Sequence, residues 1–161
     1  MTIRRSIHHD KFPMVCIAFK NKDVVNFLCS LGFNNNKTLN FIPKFNISWD
    51  YIRGCFEGDG YFRTTGGYEI SMISICKQHL NIIKKFIESY NIPVHMTSYN
   101  RNGTTVWNIG IYKKKDIYKF IGYLYDSAHY FLNRKYDKAQ NIRNNIQRSL
   151  KFGEPAEGIP S

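Results

Sequence analysis

The sequence predicts an α+β fold in which an antiparallel sheet carries its helices on one face. Three observations lead there. Apolar residues recur at helical spacing in several separated stretches. Two pairs of strand-like runs flank the turn pairs Gly66-Gly67 and Asn102-Gly103. From Asp50 the elements run helix, hairpin, helix, hairpin, helix, helix, so the two hairpins can join into one sheet with its other face open.

Each element has a local reason. Met14 to Phe19 (MVCIAF) is an apolar run and reads as a buried strand. Asn21 or Asp23 caps a helix to about Leu31, with Val24, Phe27, Leu28 and Leu31 on one stripe, and Gly32 stops it. Asn34 to Lys37 is a polar connection, and Pro43 keeps the next stretch extended. Asp50 opens a helix through about Glu57, which the Gly58-Asp59-Gly60 end breaks. Tyr61–Thr65 and Tyr68–Ile75 form the first hairpin, and a helix from about Gln78 to Tyr90 has Leu80, Ile83, Ile87 and Tyr90 on its apolar face. Val94–Asn100 and Thr104–Ile111 form the second hairpin. Ile117, Phe120, Ile121 and Leu124 mark a further helix, and Ser127 starts the last, which runs to about Leu150. The remaining tail is rich in Pro and Gly and reads as loose.

Composition narrows the function classes. The 161 residues carry a formal net charge of +11, which favours a polyanionic partner, nucleic acid above all. At 43% hydrophobic residues the chain can fold, and no apolar run is long enough to span a membrane. The start, MTIRRSIHHDKF, is no secretory signal, and four cysteines without close spacing suggest reduced thiols rather than a zinc site. An intracellular protein is expected. Between Lys113 and Lys151 ten Lys or Arg stand against three Asp, a basic surplus suited to a phosphate backbone. The same charges would also suit an ordinary solvated helix surface.

A faint internal repeat is present. The segment from Cys16, CIAFKNKDVVNFLCSLGFNNNKT, parallels the one from Asn108, NIGIYKKKDIYKFIGYLY, followed later by LNRKY. Both run strand, Lys-Asp, a helix with Phe27 or Phe120, then Asn-x-Lys with Lys37 or Lys135. On this reading residues 1–48 are a partial first half-repeat with a linker, 49–150 a complete half, and 151–161 a flexible tail.

The chemistry gathers at Ile52 to Gly60 (IRGCFEGDG). Gly54 and Gly58 lie four apart and leave room for a second helix to approach. Glu57 and Asp59 stand at the C-terminal end, where the helix dipole already places negative charge, so a bound cation would offset both. Hard cations such as Mg²⁺ take carboxylate, carbonyl and water oxygens. Paired helices would bring two carboxylates to a metal site suited to cutting phosphodiesters. The same Glu-Gly-Asp-Gly would equally make a surface turn.

The wider segment Trp49 to Phe62 (WDYIRGCFEGDGYF) resembles the signature helix of the LAGLIDADG homing endonucleases, with Ile52 to Gly60 matching its nine motif positions. The match is to the second motif of two-motif members. Leu31-Gly32-Phe33, Lys37-Thr38 and Phe41-Ile42-Pro43 resemble the linker before it. Tyr123 to Asp126 and Phe131 to Tyr136 resemble the close of a half. The resemblance implies an αββαββα half whose antiparallel, saddle-shaped sheet lies in the DNA major groove with helices on its other face. It implies pairing of two halves through the motif helices, here through Ile52, Gly54, Cys55 and Gly58. It implies Asp59 as metal ligand, the Gly58 carbonyl as a second contact, Mg²⁺ or another hard divalent cation as cofactor, and Lys135 as the basic residue at the active site. A water-positioning polar residue would fall between Ser74 and Gln78.

DNA contacts should come from the open face. Tyr61, Arg63 and Thr65 alternate onto one side of their strand. Ile73 and Ile75 look core-facing, which turns Ser74 outward, and Asn108 points out between Trp107 and Ile109. Thr97, Tyr99 and Arg101 share one face, and Lys113 and Arg134 would meet phosphates. The first motif is missing: nothing before Trp49 resembles it. Three readings follow. The chain is a homodimeric site-specific double-strand DNA endonuclease, or the downstream part of a two-motif enzyme that needs a partner half. Alternatively it is a non-cutting DNA-binding protein or RNA-binding intron maturase of the same fold.

Overall fold

The computed structural model describes residues 2–6, 14–18, 20–33 and 41–152, with side-chain surroundings given for 20–33 and 41–150. Its elements, in order, are β1 (Thr2–Ser6), β2 (Met14–Ala18), α1 (Lys22–Ser30), α2 (Trp49–Asp59), β3 (Gly60–Arg63), β4 (Glu69–Ser74), α3 (Lys77–Glu88), β5 (His95–Arg101), β6 (Thr104–Ile111), α4 (Lys114–Tyr125) and α5 (Asn133–Phe152). The Asn34–Lys37 connection, Lys37-Thr38, the His8-His9 pair, Phe19 and the tail beyond Phe152 lie outside the described residues.

Local chemistry explains most boundaries. Asn21 caps α1, its Oδ1 accepting from the Asp23 and Val24 amides, and Gly32 beyond the helix holds φ +99. A side chain at Gly32 would also strike the Ile42 carbonyl at 2.5 Å, so this position needs glycine twice over. Ser48 caps α2 by accepting from the Tyr51 amide. In the second hairpin Asn102 and Gly103 both take positive φ, and the Asn100 side chain accepts from the Gly103 amide at 2.9 Å.

Residues 49–152 form an α+β unit. The four strands make one antiparallel sheet in the order β3-β4-β6-β5, joined where Ile73 pairs with Asn108 and Ser74 with Trp107. The core lies between this sheet and the helices. α3 contributes Leu80, Ile83 and Ile87, α4 contributes Ile117, Phe120, Ile121 and Leu124, and α5 contributes Ala139, Ile142 and Ile146. Burying each larger apolar side chain contributes on the order of 1.5–3 kcal/mol, which holds the helices to one face. Upstream, β1 and β2 form a separate two-stranded antiparallel sheet.

The structure moves several expected features. α2 runs through Asp59 rather than ending near Glu57, so the acidic residue closes the helix instead of following it. α5 starts at Asn133, six residues after Ser127, and β1 had no sequence signal. In β4 the expected pleat is reversed: Ile70 and Met72 are buried under the helices while Ile73 is 44% exposed. Ser74 therefore shares the helix side with Met72, and its hydroxyl accepts from the Cys76 amide at 3.1 Å. Pairing sets this phase, because Phe62 opposite Ile70 and Met72 opposite Ile109 align four buried residues on one side.

Candidate functional site

The end of α2 carries the acidic residues. Asp59 is exposed and takes part in none of the ion pairs among the described residues. Gly60 follows in extended conformation, and a side chain there would collide with the Phe56 ring, so the chain can turn into β3 only with glycine. The two carboxylates separate in role. Glu57 accepts from the Tyr125 hydroxyl at 2.5 Å and from the Leu132 amide at 2.7 Å, so it ties α2 to the ends of α4 and α5. Burial, with the Glu57 hydrogen bond and charge, pushes the Tyr125 phenol well up from its ordinary value. Sequence patterning missed this clamp, since its partners lie 68 and 75 residues away.

Lys135 is buried at 7% exposure. Its Nζ donates to the Phe56 carbonyl at 2.6 Å and the Gly60 carbonyl at 2.8 Å, so a positive charge closes the negative end of α2. Burial pulls its pKa below the ordinary lysine value, Arg134 adds to that, and Glu57 and Asp59 oppose it. Lys135 and Asp59 thus stand within electrostatic reach of each other at the helix end.

One flank of α2 is bare. A side-chain carbon at Gly54 or Gly58 would meet nothing beyond its own helix within 4 Å among the described residues, and both residues are exposed. Cys55 is half-buried beside them, and burial raises its thiol pKa, eased by a Tyr51 hydrogen bond and added to by the Asp59 charge. Ile52 does not belong to this flank: at 1% exposure it sits in the core, facing the helices and sheet of its own unit. The neighbouring Arg53 is also buried, donating to the Leu124 carbonyl at 3.0 Å and pairing with Asp50. Tyr51 and His79 share a 2.6 Å hydrogen bond, and burial lowers the His79 pKa against the Asp59 charge.

The donor set suits a hard cation only in part. Asp59 offers a free carboxylate beside the Gly58 backbone, and oxygen ligands of this kind fit Mg²⁺. Among the described residues no group of three or more His, Cys, Asp and Glu gathers to hold a metal. The exposed Asp59 carboxylate thus lies at the edge of the Gly54/Gly58 flank of α2.

Beside this end lies the uncovered sheet face. Pairing places Tyr61, Arg63, Ile73, Asn108, Thr97, Tyr99 and Arg101 on it, with Tyr61 at 56% and Tyr99 at 47% exposure. Thr65 is exposed in the bend after β3. The Arg63 guanidinium is held by Glu69 at 3.1 Å, and the Asn108 side-chain oxygen is shielded without a partner. Two cation–ring contacts missed by sequence reading flank the sheet, Lys77 over Trp107 and Lys138 over Tyr61. Lys113 is exposed just before α4, and Arg134 at the start of α5. No helix among the described residues is long and apolar enough to cross a membrane.

Comparison with known proteins meets the same unit. Residues 48–124 match the family model of a LAGLIDADG-like domain. The homing endonuclease I-CvuI, solved with its target in the presence of calcium, superposes with a TM-score of 0.50 at 15% identity, over 67% of this chain and 71% of that one. The same enzyme, solved with an I-CreI target and magnesium with the DNA not cleaved, gives 0.44 at 12% identity over the same shares. At such identities the first likeness establishes the fold, and the second adds no argument. No curated protein matches the sequence.

Proposed function

We propose, for a chain whose residues 48–124 are a LAGLIDADG-like domain, that it is a site-specific double-strand DNA endonuclease that works when its α2 helix pairs with a second motif helix. The observation that carries this reading is a free carboxylate, Asp59, at the junction of an uncovered sheet face and an uncovered helix flank.

DNA lies along the open face. Arg63, Arg101 and Asn108 read base edges, while Thr65, Thr97, Tyr99, Lys113 and Arg134 meet bases or the backbone. Lys138 joins them as a positive charge over the exposed Tyr61 ring. Of the pairing residues expected from sequence, Gly54, Gly58 and Cys55 remain and Ile52 drops out. Ser74 leaves the DNA-contacting set, since it faces the helices.

At the helix end Asp59 and the Gly58 carbonyl would hold a hard divalent cation such as Mg²⁺. The metal supplies water activation and charge neutralisation at the leaving oxygen. Lys135 keeps the last turn of α2 in place and sets a positive charge next to the scissile phosphate, where negative charge grows.

The test is incubation with a randomised double-stranded DNA library and Mg²⁺, with a partner half added in a second arm. Sequence-specific double-strand cuts that vanish on chelation and in Asp59→Asn support the proposal. Cutting that survives Asp59→Asn would overturn the site. An intact library that is nevertheless tightly bound would assign the chain to non-cutting DNA binding.

A further inference from the structure

Arg63 and Glu69 stand opposite each other across β3 and β4. Their strand neighbours Phe62 and Ile70 point into the core, so this pair takes the open side of the sheet. Glu69 is the one carboxylate on the four strands, which otherwise carry neutral or basic residues. On a face suited to a polyanion a carboxylate is repelled by the partner. Its place there needs a physical reason.

The surroundings supply one. Glu69 Oε2 lies 3.1 Å from Arg63 Nη2, so the ion pair engages one corner of the guanidinium. The Arg63 side chain is 44% exposed and that of Glu69 only 15%, so the guanidinium can enter a groove while the carboxylate stays recessed behind it. Arg63 Nε is shielded without a partner, which leaves the far end of the fork as the reachable part. Tyr112 adjoins the pair. Its ring folds back over Gly110, where a side-chain carbon would lie 2.4 Å from the phenol oxygen. Burial and the Glu69 charge raise the Tyr112 pKa and the Arg63 charge lowers it, so the three groups share one environment. His95, paired with Gly110, lies beyond at 5.6 Å between ring centres.

We propose that Glu69 is a positioning residue for base recognition, aiming the Arg63 guanidinium at one guanine of the bound duplex. Arginine meets guanine through two parallel N–H bonds to O6 and N7, which demands that the planar fork be held at a set angle. A recessed carboxylate at one corner holds it so, and is too deep to read a base itself. This role rests on the reading of the open face as a DNA surface and does not depend on cutting.

Binding-site selection from a randomised duplex library tests it on the full chain, in chelating buffer so that no strand is cut. The wild type should prefer a G·C pair at one position by roughly 10- to 100-fold. Arg63→Lys keeps the charge but not the fork, and should lose that preference at that position alone. Glu69→Gln should weaken the preference at the same position by about tenfold, while affinity for unselected DNA holds or rises because a negative charge leaves the face. A cross-strand ion pair that only steadied the sheet would shift all positions together or none. Two results would overturn the role of Glu69 with DNA binding intact: a guanine preference that survives Arg63→Lys or Glu69→Gln, or selected sites in which no guanine depends on Arg63. A wild-type chain that binds no DNA would overturn the reading of the open face, and this role with it.

Discussion

Replacing Lys135 by Met separates a lysine that holds the active helix end from one that merely decorates a helix surface. The wild-type Nζ donates to the Phe56 and Gly60 carbonyls at 2.6 and 2.8 Å. Met keeps the length and apolar stem of the side chain, including its packing near the Phe56 ring, but donates nothing. The Phe56 carbonyl retains one partner, the Gly60 amide, so its loss is partial. Leaving a buried acceptor short of a charged donor costs roughly 1–3 kcal/mol. Relief from burying the lysine charge, the cause of its lowered pKa, offsets some of this. A net loss of about 2 kcal/mol is expected, or about 1 M in the urea midpoint for a slope near 2 kcal/mol/M. Equilibrium urea unfolding followed by circular dichroism reads this directly. Arg134→Met is the control, because Arg134 is exposed and should change stability by less than about 0.5 kcal/mol. If Lys135→Met matches that control with an unchanged slope, the two hydrogen bonds do not hold the helix end.

Three further perturbations follow from the same geometry. Glu57→Ala leaves the Tyr125 hydroxyl, buried at 3% exposure, without its acceptor, and should cost about 2 kcal/mol in the same unfolding assay. A change below about 0.5 kcal/mol would remove the clamp. Gly54→Ala should stabilise the lone chain by roughly 0.5–1 kcal/mol, since nothing lies within 4 Å of the added carbon, while weakening pairing of α2 with a second helix. Calorimetry of the lone chain beside a cleavage or association assay reads both, and destabilisation of the lone chain would show the flank to be covered. Burial lowers the His79 pKa below 6.5, so between that lowered value and 6.5 the unfolded chain binds more protons. Stability is then complete above 6.5 and falls as pH drops through this window. Thermal unfolding in metal-free buffer should show the loss, and His79→Gln should flatten it.

Much of this was legible along the chain. The helix spacing of Leu80, Ile83 and Ile87 and of Ile117, Phe120, Ile121 and Leu124 marked two core helices, because a 3.6-residue period is a local property of the sequence. The Gly66-Gly67 and Asn102-Gly103 pairs marked both turns, because few residues accept positive φ. The acidic end of α2 was readable for the same reason, since Glu57 to Gly60 are contiguous.

Other features depend on partners far away. Around Tyr68–Ile75 apolar residues occupy both phases of the pleat, so Ile70 and Met72 against Ile73 and Ile75 was undecided until Phe62 and Ile109 paired across it. Ile52 reads as apolar wherever it points, and only packing put it in the core rather than on the pairing flank. The start of α5 moved from Ser127 to Asn133 beside an amide, that of Leu132, held by Glu57 from 75 residues away. By itself the sequence determined the order of the elements from residue 49 onward and both hairpin turns. The tertiary structure alone decided which face each side chain takes, that Glu57 and Lys135 brace the helix end, and that one flank of α2 lies bare. The physical reason is range: propensity and motif act within a few residues, whereas burial, strand register and charge pairing are set by groups that meet only once the chain has folded.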